Sequence, residues 1–200
     1  MLYMSLDEIK NLIKGGVFHS PSKGMLNLIQ VIEELINYKK EIPEAKYKIV
    51  IGTDSEVREK GIEFVCVVAV HRIGKGGRYF WSRIYEERKT DLRTRIYEEA
   101  VISLALAGAL LETELEFHHV KIDMGQPISE VFKSLEKESR YASSQEIIFT
   151  NELEIHVDIG QKGPTREMIK EIVGMIKGSG FFVRIKPEAF AASSLADRHV

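Results

Sequence analysis

Cysteine is nearly absent from this chain, Cys66 being the one such residue among 200. That excludes an internal disulfide framework and agrees with a reducing compartment. No stretch of about 18 consecutive apolar residues occurs, so no membrane-crossing helix is expected. Neither sign of charge dominates, since 28 Lys and Arg against 30 Asp and Glu leave a net charge of -2. A global electrostatic footprint for nucleic acid is thereby excluded, and any such contact must rest on a local patch. Glycine-serine linkers and low-complexity tracts are missing as well. The opening residues show no charged leader followed by an apolar core, so a cytoplasmic protein is expected. What remains is the composition of an ordinary globular chain, 44% hydrophobic and long enough to bury a substantial core.

The stretch YKIVIGTDS, Tyr47–Ser55, is the most informative. Ile49, Val50 and Ile51 give both faces of a pleated strand an apolar side chain, the pattern of a strand buried on both sides. It ends on Gly52, Thr53, Asp54 and Ser55. A carboxylate at the exit of a central strand must be paired, hydrogen-bonded or metal-bound, which makes Asp54 a candidate for chemistry. The alternative is that Asp54 caps a turn into Glu56–Gly61.

Residues 1–46 read as a helical appendage, and residues 47–200 as the main domain. Ser5-Leu6-Asp7-Glu8 is a capping-box pattern leading into Ile9, Leu12 and Ile13. A second helix is expected from Ser22 to Lys40, with a stripe of Leu26, Leu28, Ile29, Ile32, Leu35 and Ile36. This pair of helices is a candidate for packing or for homodimerisation. Beyond Asp54, strands are expected over Ile62–His71 and Tyr79–Tyr85, joined through Gly74, Gly76 and Gly77 into a meander; Cys66 falls in the core of the first. Leu92–Leu111 reads as a helix so apolar after Glu99 that it must be buried on most sides. Glu99 shares its face with Ile96, Ser103 and Ala107 and is aimed at the sheet; Glu98, about 100 degrees away, is expected in solvent. Residues 116–150 read as an insertion, with a short strand at Phe117–Ile122 and a polar helix around Ile128–Glu138. Leu153–Asp158 is a strand ending on an acid, followed by a helix over Thr165–Lys177, a strand over Phe181–Lys186 and a short small-residue helix holding Asp197.

This order places acids at Asp54, Glu99, Asp158 and Asp197, an arrangement that resembles the ribonuclease H-like fold: an α/β architecture with a mixed five-stranded sheet, its first three strands antiparallel, flanked by helices. IGTDS at 51–55, LRTRIYEE at 92–99, HVDIGQKGPTREMIKEIVGMIKGSGF at 156–181 and IKPEAFAASSLAD at 185–197 are similar to the YkuK family of that superfamily. The resemblance implies that Asp54, Glu99, Asp158 and Asp197 hold two divalent cations, Mg²⁺ or Mn²⁺, and hydrolyse phosphodiester bonds of RNA, DNA or a hybrid. Hard cations take oxygen ligands, and a pair of them stabilises both the attacking and the departing oxygen. Asp123 is a rival to Asp158 for the fourth-strand position.

Lys162, Thr165 and Arg166 surround an expected helix start beside Asp158, where backbone N–H groups suit a phosphate. Lys186, at a strand end, is a further substrate-binding candidate, set against a role in merely flanking Pro187. His199 is expected to be solvated, and His118 and His119 point to opposite faces of a strand, so they form no metal pair. Two other readings stay open. One is a non-catalytic ribonuclease H-like module that binds nucleic acid or a protein; the other is an actin-like ATPase, disfavoured because such enzymes need two linked domains around a nucleotide cleft.

Overall fold

The computed structural model describes residues 4–117, 130, 131, 133, 153–162 and 165–200. Asp123, His118, His119, Pro164, the short strand expected at Phe117–Ile122 and the polar helix expected at Ile128–Glu138 therefore lie, wholly or in the main, outside the described residues.

Helix α1, Leu6–Gly15, starts on the expected capping box: Ser5 and Glu8 satisfy each other's backbone N–H groups. Its apolar side, Ile9 and Ile13, is buried. The segment after it departs from expectation. Strands β1, Phe18–Ser20, and β2, Gly24–Leu26, form a hairpin, and helix α2 starts only at Leu28, with Asn27 and Gln30 making a second capping box. Leu26 thus belongs to a strand and not to the helical stripe. In α2, Leu28, Val31, Ile32, Leu35 and Ile36 face the core, whereas Ile29 is exposed.

The central meander is as expected, with β3 over Tyr47–Val57, β4 over Ile62–Arg72 and β5 over Gly77–Glu86, all antiparallel. Helix α3 runs from Leu92 past Leu111 to Phe117. Strand β6, Leu153–Val157, lies parallel to β3, helix α4 covers Ile169–Gly178, and strand β7, Phe182–Ile185, lies parallel to β6. The strand order is β2-β1-β5-β4-β3-β6-β7. Among the described residues the sheet therefore has seven strands and not five: the hairpin extends it through a contact between His19 on β1 and Trp81 on β5. No helix among the described residues is long and apolar enough to cross a membrane.

The sheet has two differently covered faces. Helices α1, α2, α3 and α4 bury Ile49, Ile51, Phe64, Val68 and Phe80 in one continuous core. On the other face, Val50, Val65, Val67 and Ala69 meet, among the described residues, the C-terminal segment, chiefly a π-helical run over Ala191–Ala196 with Val200 beside it. This terminal helix sits close because Gly52 has no side chain. A Cβ built there would stand 2.4 Å from the backbone nitrogen of Ala192. His156, on β6 and only 2% exposed, holds the same helix by accepting the Ala191 N–H at Nδ1 (3.2 Å).

Candidate active site

Asp54 lies inside β3, which runs on to Val57, and the turn that follows is closed by the Arg58 N–H on the Gly61 carbonyl. Asp54 thus caps no turn. Its Oδ1 accepts the N–H of Ser55 at 2.9 Å. The parallel register pairs Gly52 with His156, and two residues further on it sets Asp158 opposite Asp54, just past the end of β6. Glu99 arrives from α3. Two hydroxyl contacts fix that helix to β3: Ser55 Oγ donates to Glu99 Oε1 (2.6 Å), and one turn later Ser103 meets Thr53 (2.8 Å) in a buried pair.

The three carboxyl groups face one open cavity of about 290 Å³ together with Ser55, Arg95, Lys162, Thr165 and Lys186. Burial pushes the Glu99 carboxyl up to about 8, with the charges of Asp54 and Asp158 adding to the effect. Asp54 rises to about 6, again chiefly by burial, then through Asp158 and Asp197. Arg95 acts in the opposite direction on both; its Nη1 donates to the Ser55 carbonyl at 3.3 Å. Asp158 Oδ1 is buried and receives no hydrogen bond of good geometry, although Lys186 Nζ stands 2.8 Å away as an ion pair. Thr165 Oγ1 accepts the Gly160 N–H at 3.4 Å, closing the loop that carries Lys162.

Of the residues singled out from sequence, Asp54, Glu99, Asp158, Lys162, Thr165 and Lys186 line this cavity; Asp197 and Arg166 are exposed and do not. Asp197 sits in a 3-10 turn, Asp197–His199, on the face of the terminal helix, near enough for its charge to reach Asp54. The helix start expected at Thr165 lies further on: a 3-10 turn over Arg166–Met168 intervenes, and α4 begins at Ile169. Glu98 is not in solvent but 4% exposed, because the loop before α3 folds Arg88 onto it. His199 is stacked on Trp81 with ring centroids 4.4 Å apart, and Arg83 Nη2 donates to its carbonyl at 2.7 Å. Ser55 and Arg95 went unassigned in the sequence. Their signals were the strand alternation after Asp54 and the one-turn spacing before Glu99.

As to a divalent cation, the donor set is chemically suitable: all three cavity carboxylates supply hard oxygen atoms, and Asp158 Oδ1 is a buried acceptor with no aligned donor. Among the described residues, no three acidic, histidine or cysteine side chains converge into a ready cage. Each carboxylate has a separate partner instead, the Ser55 N–H, the Ser55 hydroxyl or Lys186.

Comparison with known proteins agrees with this architecture. The family model described as Ribonuclease H-like matches residues 30–200. An uncharacterized protein of Bacillus subtilis (strain 168), YkuK, is 28% identical over 186 residues, which is 91% of this chain and 95% of that protein. No solved structure matches. With the motifs in order along the chain and the family match covering all but the first helix, the hairpin and the opening of α2, the chain belongs to the ribonuclease H-like YkuK family.

Proposed function

We propose that the cavity is the active site of a divalent-cation-dependent hydrolase of phosphodiester bonds in RNA, DNA or a hybrid. The observation that carries this reading is the meeting of Asp54, Glu99 and Asp158, from three separate elements, in one cavity that also holds Arg95, Lys162 and Lys186. Burial raises the carboxyls of Asp54 and Glu99, with the charge of Asp158 adding to each, and a cation bound among them offsets both effects. Asp54 and Asp158 would hold Mg²⁺ or Mn²⁺, with Glu99 as a third ligand that also positions water. Asp197 would complete the set from the terminal turn. When bound, a pair of such ions stabilises the attacking and the departing oxygen. Arg95, Lys162 and Lys186 orient the phosphate, with Thr165 and the nearby Arg166 on the approach.

The test is a calorimetric titration of Mn²⁺ into the wild type and into Asp54→Asn/Asp158→Asn, followed by both proteins on labelled RNA, DNA and hybrid substrates. Joint loss of binding and cleavage in a folded variant is expected. A variant that folds and still cleaves removes the assignment. The separate partnering of each carboxylate favours a second reading, a non-catalytic module that binds nucleic acid or a protein, and a flat Mn²⁺ trace for the folded wild type would select it.

A further inference from the structure

Lys186 stands at the end of β7, on the wall of the cavity, with its ammonium 2.8 Å from Asp158 Oδ1. Its side chain is 51% exposed, so little packing holds it in that place. Asp158 Oδ1, by contrast, is buried and has no aligned hydrogen-bond donor. The pair is therefore one loosely packed cation facing one carboxylate oxygen that no aligned donor serves. The cavity as a whole sets Arg95, Lys162 and Lys186 among the carboxyl groups of Asp54, Glu99 and Asp158, so cationic side chains already stand where a bound ion would come. A divalent cation brought to Asp158 meets an ammonium already paired with it, and the half-exposed Lys186 side chain has room to yield that place. An ammonium released there lies beside the position of a negatively charged phosphodiester, which it suits as a mobile point charge.

We propose that Lys186 is the resident counter-ion of Asp158, competing with the divalent cation for that carboxylate and passing to the substrate phosphate once displaced. This rests on the hydrolase reading above and adds a role that the reading does not require. Removing the ammonium then has opposite effects on two ligands. Lys186→Met is expected to bind Mn²⁺ more tightly than the wild type, by roughly two- to fivefold, the range of a partly exposed ion pair. The same variant, saturated with Mn²⁺, binds dTMP more weakly by a similar factor. Lys186→Arg, which keeps the charge, stays near the wild type in both titrations.

Calorimetry at one pH and one ionic strength, with far-ultraviolet circular dichroism to establish folding, reads all of these. Unchanged or weakened Mn²⁺ binding by folded Lys186→Met overturns the counter-ion role, and unchanged dTMP binding overturns the transfer to phosphate. A folded wild type that binds no Mn²⁺ overturns the hydrolase reading itself and, with it, this inference.

Discussion

Gly52→Ala tests whether the terminal helix depends on the bare backbone of β3. The added Cβ would lie 2.4 Å from Ala192 N, 2.8 Å from Ala191 C and 2.9 Å from Ala192 Cα. All three are backbone atoms, so no flexible side chain can swing aside, and the helix must rise by about 1 Å to restore an ordinary contact of roughly 3.5 Å. Such overpacking costs roughly 1–3 kcal/mol. The same shift strains the 3.2 Å bond from Ala191 N–H to His156, a buried pair whose loss adds about 1 kcal/mol or more. A total of about 2–4 kcal/mol lowers the melting temperature of a chain this size by roughly 5–15 °C. The control is Gly174→Ala in α4, where a Cβ meets nothing within 4 Å and removal of a helical glycine stabilises by roughly 0.5–1 kcal/mol. Thermal unfolding followed by circular dichroism compares the two, and Mn²⁺ titration shows whether the turn bearing Asp197 has moved with the helix. Equal melting temperatures for Gly52→Ala and the wild type would refute the reasoning.

Glu99→Gln is expected to stabilise the cation-free protein, increasingly so toward alkaline pH. Its folded carboxyl titrates near 8 against an ordinary 4.5, so the folded state binds the extra proton, and wild-type stability falls as pH rises through that window. Melting temperatures measured from about pH 5 to about pH 9 should diverge in favour of the variant, and a variant that melts lower throughout would show that Glu99 is structural. His156 has the opposite sign: burial lowers it from 6.5 to about 4, so its neutral form contributes stability that is complete above the upper value and lost as pH falls through the lower one. One unit of pKa corresponds to about 1.4 kcal/mol, giving roughly 3 kcal/mol across the window. His156→Leu should show a shallower acid slope in melting temperature, and an identical slope would exclude His156 as a source of acid sensitivity.

The elements legible in the sequence were those whose side-chain pattern is set by burial on a large scale. Ile49, Val50 and Ile51 announced a strand covered on both faces, and the apolar length of α3 announced a helix packed on most sides. The hairpin of β1 and β2 was not legible, because strands of three residues show no reliable period and are defined by an edge of β5 far along the chain. Glu98 was misplaced for a related reason. Helical geometry locates its face, but Arg88, which makes burial tolerable, comes from a loop whose path the sequence does not specify.

The same distinction explains why the cavity lies where it does. From Gly52 to Ser55 the side chains alternate between the faces of the sheet. Thr53 and Ser55 reach α3, through Ser103 and Glu99, while Gly52 receives the terminal helix and Asp54 shares its face. Four consecutive residues thus join the central strand to two layers that never meet within the sheet. Only at the strand end, past the last pair with β6, can groups from both layers approach one carboxylate, and Asp54 feels Glu99's neighbours from one side and Asp197 from the other. The glycine of GTDS is then no turn residue. It sets how near the second layer can come, which is why its substitution should reach the cavity as well as the fold.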